Sequence, residues 1–134
     1  MSDLKFKKLE GELDDLVSFM INNPWSYHSD PKPSDEQIKK RYHEGWYQED
    51  RETYWVETNN EKIGIIIIHD ISDIIPSFDI RLANHVRGKG IGTEAVKWLT
   101  DYIFGLSNRK IWIEAYTRSD NLSMRKTLSN AGFV

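Results

Sequence analysis

The sequence predicts one mixed α/β domain, a sheet sandwiched with helices, on three observations. Short segments rich in aromatic and β-branched residues alternate with segments whose apolar residues recur at three- and four-residue steps. The stretch from Lys62 to His69 is almost entirely isoleucine, as in a strand covered on both faces. Leu, Ile, Val and Phe make up 34 of the 134 residues, enough for one ordinary core and, at this length, not for two.

Leu4, Phe6 and Lys8 alternate with Lys5 and Lys7, which reads as a first strand, and Gly11 breaks it. Leu13, Leu16, Val17, Met20 and Ile21 keep helical spacing until Asn23 and Pro24 stop the helix. An aromatic loop with Trp25, Tyr27 and His28 runs to Pro33. Ser34 and Gln37 then form a capping box with Asp35 and Glu36 in the first turn, so a second helix is expected from Asp35 to about Gly45. Thr53 to Glu57 and Lys62 to His69 read as strands joined by an Asn59-Asn60 turn, a hairpin. A further strand is expected over Pro76 to Asn84. A helix follows from Thr93 to Gly105, with Ala95, Val96, Leu99, Tyr102 and Ile103 on one face. Arg109 to Thr117 reads as a strand, and a last helix runs from Asp120 or Asn121 to Ala131, ending at Gly132.

Composition narrows the function. With no cysteine, disulfide scaffolds, thiolate zinc sites and cysteine nucleophiles are excluded, which suits a reducing cytoplasm. The longest apolar run falls far short of a bilayer span and the polar start is no signal peptide, so a soluble, cytoplasmic protein without membrane contact is expected. Residues 1 to 60 carry 8 basic and 13 acidic side chains, and residues 61 to 134 carry 10 and 8. An anionic ligand should therefore prefer the second half, and no basic stripe suits nucleic acid. His28, His43, His69 and His85 lack metal-ligand spacing, so no metal is expected.

Chemistry concentrates in the segment from Val86 to Thr93, where Gly88, Gly90 and Gly92 alternate with Lys89 and Ile91 behind Arg87. Glycines before a helix let free amides approach an anion at the positive end of the helix dipole. A phosphate-binding P-loop fails here because Gly88-Lys89 is followed by Gly90. The dinucleotide pattern fails because its third glycine would be Thr93.

The loop resembles the RxxGxG signature of the GNAT superfamily of acetyl-CoA-dependent N-acetyltransferases, and Asn121 to Phe133 is similar to that family's Asn-to-Gly-Phe helix. The resemblance covers residues 50 to 134 well and the first two helices in outline, closest to the ribosomal-protein and aminoglycoside branch. It implies a single domain over residues 1 to 134 with a largely antiparallel sheet and helices on both faces. It implies acetyl-CoA as co-substrate and transfer of the acetyl group to a small-molecule or peptide primary amine by direct attack. Ile80, Arg81 and Leu82 would offer backbone to the thioester and pantetheine arm. Arg87, Gly88, Lys89, Gly90, Ile91, Gly92 and Thr93 would hold the pyrophosphate. Asn121 would bind the cofactor arm, and Arg125 with Lys126 could meet the adenosine 3′-phosphate, although a solvated basic face is the better account of these two.

For the acceptor chemistry, Glu114 is the first choice of general base, with Tyr116 on the same strand face and Asp79 and His85 as lesser options. The family's tyrosine acid falls on Leu128 here, and an alternative serine on Met124, one position from Ser123, so Ser123 or water is left as proton donor. Trp25, Tyr27, His28, Trp46 and Tyr47 are candidate walls of the acceptor pocket. The acidic first half favours a polyamine, aminoglycoside or lysine-like acceptor. Family members continue past the Gly-Phe pair with two further strands. Without these, the strand from Arg109 to Thr117 has an open edge. A homo-oligomer formed there, with Trp112, Phe133 and Val134 near the contact, is one expectation, and a sequence truncated from a longer protein is the other. An acetyl-CoA-binding module without turnover is the rival reading, and a nucleotide-binding regulatory domain is a third.

Overall fold

The computed structural model describes residues 4–23, 33–87, 90–106, 113–115 and 122–133. The elements run β1 (Lys5–Lys8), α1 (Leu13–Ile21), α2 (Asp35–His43), β2 (Arg51–Thr58), β3 (Glu61–His69), β4 (Ser77–Leu82), α3 (Ile91–Leu106), β5 (Glu114–Ala115) and α4 (Leu122–Asn130), with a short 3-10 turn at Asn84–Val86. This is the order expected from the sequence. The sheet order is β1-β2-β3-β4-β5, antiparallel except for the parallel β4–β5 pair.

Boundaries differ where local chemistry intervenes. The capping box forms as expected, with Gln37 N–H donating to Ser34 Oγ at 3.2 Å and Ser34 N–H donating to Gln37 Oε1 at 2.9 Å. Helix α2 nevertheless stops at His43, and Gly45, with φ +84°, lies in the turn beyond it. Helix α3 starts two residues before Thr93, because Gly90 rather than Gly92 takes the left-handed turn. The fourth strand ends at Leu82 and the chain turns there. Of the strand expected over Arg109 to Thr117, β5 is the paired part within the described residues.

Helices cover both faces, and adjacent residues of β2 show how. Trp55, fully buried, meets the edge of Phe19 from α1 at 5.8 Å between centroids and donates its indole N–H to Glu12 Oε1 at 3.2 Å. Tyr54 points to the other face, as successive strand residues must. It meets Trp98 and Tyr102 of α3 at 5.1 and 5.3 Å, and Trp98 stacks on Phe6 of β1 at 4.3 Å. Ile63, Ile65, Ile66, Ile67 and Ile68 of β3 are all buried, so both layers pack on one central strand. The Asn59-Asn60 hairpin turn has φ of 50° and 63°, the double left-handed geometry of a two-residue loop whose twist matches that of the strands.

The Gly132-Phe133 pair ends α4 in a Schellman motif. Gly132 sits at φ +97°, Phe133 N–H donates to Leu128 O at 2.9 Å and Gly132 N–H donates to Ser129 O at 3.0 Å. The Phe133 ring then packs against Phe78 of β4 at 5.9 Å. The pair therefore anchors α4 to the sheet on the α3 side.

Candidate active site

The site begins with the direction in which the backbone of β4 points. Ala83 N–H donates to Ile63 O at 2.8 Å, continuing the β3 ladder, while Pro76 O accepts from Glu114 N–H at 3.0 Å on the opposite side. In an antiparallel pair the residues alternate between bonding the neighbour and facing away. Ser77, Asp79 and Arg81 therefore bond β3, and Phe78, Ile80 and Leu82 present their N–H and C=O groups towards β5. Among the described residues, the β4–β5 pairing covers Ser77↔Glu114 and Phe78↔Ala115. Ile80 and Leu82 lie beyond it, with their backbone turned to that side. Arg81 departs from the expectation: its backbone is turned to β3, and its side chain lies on the α1–α2 face with Asp79.

Next to these groups stands the start of α3. Gly90 has φ +79° and its carbonyl accepts from Glu94 N–H at 3.2 Å, so it caps the helix. The amides of Ile91, Gly92 and Thr93 are then in the first turn, where no intrahelical acceptor exists and the dipole favours an anion. The two glycines act differently. At Gly90 a Cβ would meet nothing within 4 Å, so glycine is needed there for its conformation. At Gly92, buried in the helix, a Cβ would come within 3.2 Å of Thr127 Cγ2 and 3.5 Å of Leu82 Cδ1, so glycine is needed for space. On the other side of Leu82, a Cβ on Gly64 of β3 would lie 2.7 Å from Leu82 Cδ2. The Leu82 side chain is thus seated between two glycines. Arg87 Nε donates to Leu82 O at 3.0 Å, fixing the strand end to the loop. Gly88, Lys89 and Asn121 lie outside the described residues. Arg125 and Lys126 are exposed on α4.

The family comparison follows from this geometry. The acetyltransferase (GNAT) domain family matches residues 4–134. The chain belongs to the GNAT family. No curated protein matches the sequence. Among solved structures, the GNAT chain is similar to spermidine N-acetyltransferase from Vibrio cholerae in complex with CoA and spermine, at TM-score 0.81 and 23% identity, covering 100% of this chain and 82% of that one. It is similar to the aminoglycoside acetyltransferase AAC(6')-Ib in complex with ribostamycin and coenzyme A, at TM-score 0.82 and 19% identity, covering 99% and 84%. A domain from Methanocaldococcus jannaschii matches at TM-score 0.81 and 17% identity, covering 100% and 90%. At these identities the likeness establishes the fold.

On the acceptor side, the GNAT chain places Glu114 half-buried on β5 beside Ser77, on the sheet face that also carries Asp79 and Arg81. Arg81 Nε donates to Asp79 Oδ2 at 3.1 Å. Tyr47 is buried beneath the loop after α2. Burial raises its phenol pKa, with opposing influence from the charges of Arg81 and Arg41. Tyr47 is buried, whereas Trp46 is exposed. His85 Nε2 lies 3.1 Å from Glu61 Oε1 at the surface, away from Glu114. Leu128 is a buried core residue that also anchors the Schellman motif, so packing explains its identity. Tyr116, Trp25, Tyr27 and His28 lie outside the described residues, and the Ser123 position is on the first turn of α4.

Two groups were missed from the sequence. One is the pairing of Asp79 with Arg81, residues that the sequence named singly, whose signal was the two-residue spacing of opposite charges on one strand face. The other is Glu52, whose Oε1 accepts from Tyr54 at 2.6 Å and from Tyr102 at 2.5 Å. Burial alone would raise the Glu52 carboxyl, but the phenols of Tyr102 and Tyr54, with Lys8 nearby, hold it below its ordinary value. Glu52 and Tyr54 again stand two apart on a strand, but only the fold brings Tyr102 to them.

Proposed function

We propose that the chain transfers an acetyl group from acetyl-CoA to a primary amine by direct attack on the thioester. The observation carrying this is the backbone of Ile80 and Leu82, turned to the β5 side next to the α3 N-terminus. The amides of Ile91, Gly92 and Thr93, with Arg87 and Lys89 nearby in sequence, hold the pyrophosphate. Backbone groups of Ile80 and Leu82 pair with the pantetheine arm, and Leu82 N–H donates to the carbonyl oxygen as negative charge develops on it. Asn121 and Arg125 contact the remainder of the cofactor. Glu114 stands opposite Ser77, five residues down β4 from Leu82, so it takes the amine proton through a chain of water molecules rather than directly. As the new C–N bond forms the C–S bond breaks, and the thiolate takes its proton from Ser123 or water. The cysteine-free chain suits the cytoplasm.

Two measurements test this together. Calorimetry should show acetyl-CoA binding that weakens with salt and falls sharply in Gly90→Asp, which sets a negative side chain in a left-handed position at the anion site. Equal affinity for ATP and acetyl-CoA would revive the nucleotide-binding reading. A thiol-release assay across polyamines, aminoglycosides, lysine-like amines and peptides should then show turnover. Tight acetyl-CoA binding with no release from any amine would make the chain a binding module.

We infer that the chain also self-associates. The Vibrio cholerae spermidine N-acetyltransferase has a dodecameric structure. Among the described residues β5 is the last strand in the sheet order. A self-associated form through β5 should appear in sedimentation equilibrium, and a monodisperse monomer at high micromolar concentration refutes it. Phe133 is held against Phe78 in its own chain, so Trp112→Lys is the more direct probe of that contact.

A further inference from the structure

Building on the acetyl-transfer reading, we propose that Asn23 is a positioning residue for the reaction: it ties the end of α1 to the end of β4 and so holds the Leu82 amide where it meets the thioester oxygen. Asn23 comes directly after Asn22, the cap residue of α1. Its Oδ1 accepts from Asn84 N–H at 3.1 Å, across 61 positions of the chain. Its Nδ2 donates to Phe19 O at 2.8 Å, one turn back in α1. A carbonyl on one side and an N–H on the other leave a single orientation for this side-chain amide. Phe19 meets Trp55, and Trp55, Ile65 and Arg81 pair directly across β2, β3 and β4, so they share a face. The α1 layer therefore covers the Arg81 face of the sheet, and Asn23 joins that layer to the backbone just past Leu82.

Hydrogen-bond accounting shows what that bond completes. From Leu82 O to Asn84 O every backbone polar group has a partner. Leu82 O accepts from Arg87 Nε at 3.0 Å, Ala83 N–H donates to Ile63 O at 2.8 Å, and Ala83 O accepts from Val86 N–H at 3.1 Å. Asn84 O accepts from Arg87 N–H at 3.4 Å. These partners lie on β3 or within the turn itself. The remaining one, for Asn84 N–H, comes from the end of α1. Leu82 N–H opens this run, and a donor for a developing oxyanion has to be aimed before the charge forms. Asn84 is exposed, so water can satisfy its N–H once Asn23 is cut back, and little stability is lost there. Water does not restore the direction of the Leu82 amide. The Asn23 side chain thus does two separable things: Nδ2 ties it to the last turn of α1, and Oδ1 holds the turn after β4.

Two substitutions at position 23 separate these effects. Asn23→Asp keeps an oxygen for Asn84 N–H but loses the donor to Phe19 O, and it sets a negative charge at the C-terminal end of α1, where the dipole disfavours it. Asn23→Ala loses both bonds. A purely structural asparagine makes the aspartate variant no better than the alanine one in any measurement. The proposal reverses the order in rate. At saturating acetyl-CoA and amine, thiol release should fall about tenfold or more in kcat for Asn23→Ala and stay within about twofold for Asn23→Asp, whose urea midpoint is no higher. Should Asn23→Ala fail to fold, position 84 reads the same bond from its other end. Ala83 lies at φ −56° and ψ 145°, which suits a following proline, and Asn84 opens the 3-10 turn. Asn84→Pro removes the N–H and should be about tenfold slower than Asn84→Ala, which keeps it. An unchanged kcat in Asn23→Ala, an aspartate variant as slow as the alanine one, or equal rates for the two position-84 variants overturns the proposal. If acetyl-CoA binds and no amine releases thiol, acetyl transfer fails and hydrogen exchange decides on the tether. Bound acetyl-CoA should then protect the Leu82 amide about tenfold more in the native chain and Asn23→Asp than in Asn23→Ala. Equal protection in all three refutes it, and a chain that binds no acetyl-CoA refutes both readings.

Discussion

Replacing Gly64 with alanine would test whether the seat of Leu82 matters more to catalysis than to folding. The new methyl would lie 2.7 Å from Leu82 Cδ2, 3.1 Å from the Arg81 carbonyl oxygen and 3.3 Å from Val56 Cβ. Ordinary contact begins near 3.4 Å, so Leu82 must retreat by about 0.7 Å. The clashing methyl is the far end of a half-buried side chain, but the 3.1 Å approach to the Arg81 carbonyl presses on the strand itself, so the β4 backbone shares the shift. Overpacking of this size costs about 1–3 kcal/mol. Misplacing a reacting group by about 1 Å can cost roughly a hundredfold in rate.

The expected result is a urea midpoint lowered by that amount with an unchanged m-value, and a fall in kcat of at least tenfold that outweighs any change in the affinity for acetyl-CoA. The double variant Gly64→Ala with Leu82→Val, which shortens the clashing side chain, should recover stability, because residues in direct contact couple. If the two substitutions prove additive in stability, or if the rate of Gly64→Ala is unchanged while its stability falls, Leu82 is not braced as described.

Glu52→Gln should lower stability at neutral pH by about 1–3 kcal/mol, the value of hydrogen bonds to a charged acceptor. The folded carboxyl titrates below its ordinary value, so this contribution is present above about pH 4.3 and lost as pH falls. The Tyr54 and Tyr102 phenols are raised, by burial first and then by Glu52, so their share is present below about pH 10 and lost above it. Denaturant midpoints of the two proteins should therefore converge in acid, and a gap that persists at pH 3 refutes the pairing. Glu114→Gln should slow turnover most at low pH, where the amine arrives protonated, and an unchanged pH–rate profile would leave Glu114 with a structural role only.

Much of the fold was legible because its signals are local. The capping box at Ser34 and Gln37, the left-handed Asn59-Asn60 turn and the isoleucine run of β3 each state their conformation within a few residues. The position of the cofactor loop was legible for the same reason, since alternate glycines after a strand leave few alternatives. The start of α3 was placed two residues late because sequence shows where glycines are, not which one takes a positive φ. Arg81 was grouped with Ile80 and Leu82 because counting back from the loop carries no parity. Only the β3 register decides which of three successive residues turns its backbone outward.

Charge shows the same boundary between local and long-range information. An acidic first half suggested a cationic acceptor, yet Glu10, Asp14 and Asp15 stand on or before α1 and Asp35 and Glu36 on the first turn of α2. Arg41, Arg51 and Arg81 gather around Trp46 and Tyr47. Averaged over sixty residues the basic groups vanish into the acidic total. Within a Debye length of about 8 Å at physiological salt they set the field that a ligand meets. Residue order records how many charges a segment carries, whereas the sheet register and one loop after α2 decide which of them stand together.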